Sequence, residues 1–188
     1  MHRVHHATSK RIPCVGLTAV CLLFASSGAA SDQVAFTQTN PLFPSTSFDA
    51  LFIGEMGSFT MVPLPVMGEP LEFPWDVDAF DGRLYAVGSG QDDGTMAPNR
   101  TIDLESGTIW SFEPDGSAPA LLASGLDGPE HIDLSSDGAT IYFGQLGTGV
   151  ADTFMNDGRV SRLDVDTGTI ETIVTAPPSG GVTGVAFD

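Results

Sequence analysis

The sequence predicts an all-β fold, a β-propeller of four-stranded antiparallel blades, and three observations carry that prediction. The first is a repeat of roughly 50 residues. Leu84-Tyr85-Ala86-Val87 returns as Ile141-Tyr142-Phe143-Gly144, each copy just after an Asp-Gly pair. Gly107-Thr108-Ile109-Trp110-Ser111-Phe112-Glu113 likewise returns as Gly158-Arg159-Val160-Ser161-Arg162-Leu163-Asp164. The second is the recurrence of one opening: Pro74-Trp75-Asp76-Val77-Asp78, then Pro129-Glu130-His131-Ile132-Asp133, then Val182-Thr183-Gly184-Val185-Ala186-Phe187-Asp188. The third is punctuation. Glycine and proline divide short alternating or β-branched runs at regular intervals, and no long apolar stripe of helical period follows residue 30.

Residues 1–30 read as a cleaved leader rather than as part of the fold. His2, Arg3, Lys10 and Arg11 make a basic start, 15–24 is an apolar core, and Ser27-Gly28-Ala29-Ala30 offers the small residues of a cleavage site. The apolar run is too short for the ~20 residues that span a bilayer, so no membrane association is expected after cleavage. Export, to the periplasm or medium, follows. Cleavage also removes Cys14 and Cys21, the chain's two cysteines, which excludes disulfide, zinc-thiolate and cysteine-nucleophile chemistry from what remains.

The remaining chain divides into 31–73, an N-terminal segment with a partial blade, and 74–188, the propeller blades. In the first part, strands are expected at 50–54 and 59–64, because Leu51-Phe52-Ile53-Gly54-Glu55-Met56-Gly57 resembles the later Ile141 strand and its exit. One complete blade is expected from strands at 75–79, 83–87, 108–113 and 120–123, and a second from 131–134, 140–144, 159–165 and 170–175. Turns are expected at Asp81-Gly82, Asp115-Gly116, Asp127-Gly128, Asp137-Gly138 and Thr167-Gly168, pairs that suit hairpins because glycine takes positive φ without steric cost. A last strand at 182–187 opens a further blade. The count is about three blades plus an inner strand, short of the roughly four to eight of a closed ring, so the chain reads as an incomplete propeller ending mid-blade.

Charge narrows the partners. The chain carries 7 basic and 24 acidic residues, for a net charge of −17. Beyond the leader only Arg83, Arg100, Arg159 and Arg162 remain basic. Such a surface repels phosphate backbones and anionic lipids, which excludes nucleic-acid binding. Solubility in a saline medium explains the acidity, and calcium binding by some of the carboxylates is the sharper reading. The connections from Gly88 to Gly107 and from Gly144 to Gly158 are long and carry Asp92, Asp93, Asp103, Glu105, Asp152 and Asp157, but their spacing is not that of an EF-hand loop.

The run Ala123-Ser124-Gly125-Leu126-Asp127-Gly128-Pro129, with Ile132, Asp137-Gly138 and Ile141-Tyr142 behind it, resembles the blade signature of exported NHL-like and SMP-30/gluconolactonase-like propellers. The long loops are most similar to those of secreted ScyD/ScyE-type proteins. Resemblance to the SMP-30 group implies a divalent cation on the propeller axis, usually calcium, held by Glu, Asn and Asp side chains from several blades. One such Asn lies in a Pro-Asn-Gly opening; here the corresponding residues are Trp75, Glu130 and Thr183, of which Glu130 is able to ligate.

The openings of the inner strands are where side chains from different blades converge on the central channel. Asp76, Glu130 and Thr183 are therefore the candidate ligand-binding residues, with Trp75 as an aromatic wall and Glu130 as the candidate metal ligand. His131, the one histidine beyond the leader, is the candidate acid or base, since a neighbouring carboxylate would raise its pKa. Against this stands a structural role, with Glu130 and His131 bridging blades and Trp75 packed between sheets. Two functions follow. One is a non-catalytic propeller that binds a small molecule or protein at its axial face; the other is a calcium-dependent hydrolase or lactonase.

Overall fold

The described residues form strands joined by turns and connections. The computed structural model describes residues 74–90, 105–147 and 158–176 in full, and gives the extent and pairing of five earlier strands. Those five are β1 (Lys10–Pro13), β2 (Ala19–Phe24), β3 (Gln33–Gln38), β4 (Ala50–Glu55) and β5 (Ser58–Met61), in one sheet of that order. The expected strands at 50–54 and 59–64 correspond to β4 and β5. In the unprocessed chain, β1 and β2 fall within the segment read as a leader, and β2 pairs antiparallel with β3.

Two complete four-stranded sheets follow. The first contains β6 (Pro74–Phe80), β7 (Arg83–Gly88), β8 (Gly107–Phe112) and β9 (Ala120–Leu126) in sequence order. The second contains β10 (Pro129–Leu134), β11 (Thr140–Gln145), β12 (Arg159–Asp164) and β13 (Ile170–Thr175), again in order. All pairs are antiparallel, no helix occurs among the described residues, and each sheet is a propeller blade. The fold is that of an incomplete β-propeller. The expected strand at 182–187, with Thr183, lies outside the described residues.

Alternation sets what lies between the blades. Tyr85, Val87 and Ile109 of the first blade meet Ile132, Ile141, Phe143 and Leu163 of the second in one core cluster. Ile109, Ile132, Ile141, Phe143 and Leu163 are fully buried. Each such side chain contributes about 1.5–3 kcal/mol when removed from water. The two sheets therefore form one packed unit, with the inner strands β6 and β10 side by side.

Turn chemistry fixes the register. Asp81 and Gly82 both take positive φ, at 46° and 78°, the pairing of a type I′ hairpin turn between β6 and β7. Gly138, at φ 70°, turns β10 into β11 with its α-carbon against the Phe80 ring, where any β-carbon would collide with the aromatic edge. Asp137 Oδ1 holds that turn by accepting from Ser135 Oγ (2.6 Å) and from the Ala139 amide (3.1 Å). Asp127-Gly128 differs from the other Asp-Gly pairs and lies, as the blade grouping predicts, between the blades. It joins β9 to β10, which belong to different sheets, so it is the link between blades rather than a hairpin. The reason is that Asp127 is buried and held by groups of the second blade, described below.

Candidate functional site

Both inner strands begin with a register irregularity. The pairing of β6 with β7 slips between Pro74 and Asp76, and that of β10 with β11 slips between Pro129 and Ile132. A bulge leaves a residue unpaired and re-aims its side chain. The residues so placed are Trp75 in the first blade and Glu130 and His131 in the second, three of those singled out in the sequence.

Asp76 serves the contact between blades. It is fully buried, and its Oδ1 accepts the Val77 amide at 3.0 Å. Its Oδ2 accepts the Ile132 amide of the next inner strand at 3.3 Å and lies 3.2 Å from His131 Nδ1. Two residues on, Asp78 repeats the pattern: Oδ1 accepts from the Ala79 amide (2.8 Å) and Oδ2 from the Leu134 amide (3.1 Å). Alternate carboxylates of β6 thus act as rungs to the backbone of β10. The bridge expected between Glu130 and His131 is made between His131 and Asp76 instead, because the bulge turns the imidazole toward the first blade. Trp75 is partly buried and packs against the interblade core.

Glu130 differs from Asp76. Its side chain is mostly withdrawn from water, and no hydrogen bond to it is found among the described residues. Burial pushes its carboxyl up to about 7, against the opposing pull of His131. Such a group changes protonation near neutral pH, donating a hydrogen bond when protonated and accepting when ionised. The opening of β10 thus offers a carboxyl of adjustable charge beside a half-buried imidazole.

A second constellation at the same end was not foreseen. Arg159 Nη2 lies 2.6 Å from Asp127 Oδ2 and 3.3 Å from Gln145 Oε1. Gln145 Oε1 also accepts the Asp127 amide at 3.1 Å, while its Nε2 donates to Ser161 Oγ at 3.1 Å. Asp127 Oδ1 accepts the Glu105 amide at 3.2 Å, and Ser89 Oγ donates to the Pro129 carbonyl at 3.0 Å. These bonds fasten the ends of both long connections to the start of β10. The described ends of the long connections therefore lie at the same end of the strands as the opening of β10. The sequence signal was an arginine after the Gly158 turn in a chain nearly devoid of basic residues.

Calcium takes about six to eight oxygen ligands. Among the described residues, no three of His, Asp and Glu gather in an arrangement able to hold a metal. Asp76 is committed to the Val77 and Ile132 amides and to His131, which leaves Glu130 as the candidate carboxylate ligand at the opening among the described residues. The described donor set does not fit the cation that the SMP-30 resemblance implies. The acidic loop residues Asp92, Asp93, Asp103, Asp152 and Asp157 lie outside the described residues, as does Thr183.

No protein-family model matches the chain, and no curated protein matches it by sequence. Among solved structures, it is similar to a chain of a nidogen/laminin complex, with 13% identity and a TM-score of 0.50, covering 76% of this chain and 44% of that one. It is also similar to a protein described as TolB from Agrobacterium tumefaciens, with 16% identity and a TM-score of 0.47, covering 87% of this chain and 64% of that one. The chain thus spans less than two thirds of the length of either. At this identity the first likeness concerns fold, and it agrees with the propeller read from the repeat.

Proposed function

We propose that this chain is an exported, acidic propeller protein of the NHL/SMP-30-like kind. It binds a small molecule or a protein at the face where its inner strands open, without catalysing a reaction. The observation that supports this reading is the division of labour between two carboxylates. Asp76 is spent on the blade contact, whereas Glu130, at the corresponding bulge, keeps its carboxyl for a ligand. Trp75 and His131 flank that position, and the described ends of the long connections are fastened near the start of β10. His131 is tied to the buried carboxylate of Asp76 across the blade boundary, an arrangement that suits recognition better than bond cleavage. Export rests on the leader, and the net charge of −17 keeps nucleic acids away.

The test is a thermal-shift screen of the full chain and of Glu130→Gln against sugars, lactones and peptides. A ligand that raises the melting temperature of the parent, and raises that of the variant much less, supports the reading. A saturable hydrolase activity abolished in Glu130→Gln, with calcium uptake seen by calorimetry, would instead establish the calcium-dependent hydrolase.

A further inference from the structure

At the other end of the strands, the two blades leave a cleft of about 390 Å³ between them. Its walls include Phe80, Tyr85 and Ser111 of the first blade and Gly138 and Val165 of the second, and Asp81, Asp137 and Asp166 ring it. Arg83 also lines it, but its guanidinium is engaged by its own blade: Nη1 lies 2.7 Å from Glu113 Oε1, and Nη2 donates to Ser111 Oγ at 3.1 Å. The cleft therefore presents three carboxylates against one cation that is already paired.

Tyr85 supplies the second observation. The residue is 5% exposed, yet its hydroxyl makes no hydrogen bond among the described residues, although Arg83 and Asp81 stand near it. The ring is buried while the hydroxyl opens to the cleft, where it is able to bond a polar group from outside. Phe80 adds a second aromatic wall. Carboxylates around aromatic faces suit a cation that donates hydrogen bonds, accepts none and tolerates an apolar stem. A lysine ammonium on its methylene chain meets each requirement, whereas calcium would need about six to eight oxygens and would meet aromatic carbon on two sides.

We propose that this interblade cleft binds the lysine side chain of a basic peptide, with Tyr85 Oη accepting from the ammonium and Asp81 and Asp166 neutralising it. The chain itself has one lysine, Lys10, and a net charge of −17, so the complementary group comes from a partner. This surface lies away from the Glu130 opening and is independent of the function proposed for that face.

Calorimetry of the full chain with tetralysine tests it, at a salt concentration of about 0.15 M so that diffuse attraction is screened. Saturable binding is expected, weakened about fivefold by Tyr85→Phe and about tenfold by Asp81→Asn with Asp166→Asn. A control pair of the same charge change elsewhere, Glu105→Gln with Glu171→Gln, is expected to leave affinity within about twofold. Circular dichroism reports whether Tyr85→Phe folds; if it does not, the exposed Asp81 and Asp166 pair decides. Absence of saturable binding, or equal losses in the control pair, overturns the proposal. Spermidine binding as tightly as tetralysine, with the same losses, would overturn the peptide source and leave a site for free polyamines.

Discussion

His131 of the second blade and Asp76 of the first meet across the blade boundary, Nδ1 to Oδ2 at 3.2 Å, with the carboxylate fully buried and the imidazole partly open. The same Oδ2 accepts the Ile132 amide, so a single buried oxygen joins a side chain and the backbone of the neighbouring inner strand. Replacing Asp76 by alanine removes that acceptor from a low-dielectric contact. Asp76→Ala is expected to lower stability by about 2 kcal/mol or more, and Asp76→Asn, which keeps one carbonyl oxygen, by about 1 kcal/mol. Urea denaturation of the full chain measures both, and equal stability of Asp76→Ala and parent would show that the blades do not depend on this rung.

Glu130 gives the fold a pH dependence of known sign. Its carboxyl is raised in the folded state from an ordinary 4.5 to about 7, so between those values the folded chain binds more proton than the unfolded one. Stability contributed by the neutral acid is fully present below pH 4.5 and is lost as pH rises through about 7. Glu130→Gln, which mimics the neutral form, is expected to flatten this slope and to exceed the parent in stability at pH 8 by about 2 kcal/mol, residual solvent contact being allowed for. Denaturation midpoints at pH 5 and pH 8 for both proteins check it.

The Asp127–Arg159 pair is expected to tolerate no half-removal. Arg159→Met leaves a carboxylate only 9% exposed at its side chain without its cation, beside Gln145. A loss of about 3 kcal/mol is expected, restored in part by adding Asp127→Asn, because the uncompensated charge rather than the missing attraction dominates. A double-mutant cycle by thermal denaturation separates these contributions.

Gly138→Ala combines two costs, a positive φ of 70° and a collision with the Phe80 ring. A loss of about 2–3 kcal/mol is expected in the parent. In a Phe80→Ala background only the backbone share of about 1 kcal/mol should remain. If the cost is the same in both backgrounds, the blades are not in contact at this turn.

Much of the architecture was legible because the signals that specify it are local. Asp81-Gly82 and Asp137-Gly138 announce hairpins through backbone conformation alone, and Ile141-Tyr142-Phe143 announces a strand by its alternation. The openings at Trp75 and Glu130 were also legible as positions, since the repeat aligns them. Their roles were not. Asp76 and Glu130 are both acidic residues near the start of an inner strand, and nothing local says that one faces the neighbouring blade while the other faces the opening. Asp127-Gly128 shows how the repeat adds to local signals: its composition is that of a hairpin turn, while the repeat places it between blades.

The sequence by itself determined the strand rhythm, the blade as the repeating unit, the acidic character and which residues open the inner strands, because periodicity, turn residues and charge are properties of short windows. Tertiary structure decided which carboxylates are consumed. Asp76 and Asp78 reach β10 because the two inner strands lie side by side, and bulges at Trp75 and Glu130 shift which side chains face that contact. Tyr85 and Asp81 of the first blade share a cleft with the distant Asp166 of the second for the same reason. The physical cause is that desolvation and hydrogen-bond partnership depend on what a neighbouring sheet brings within about 3 Å, which no single strand encodes.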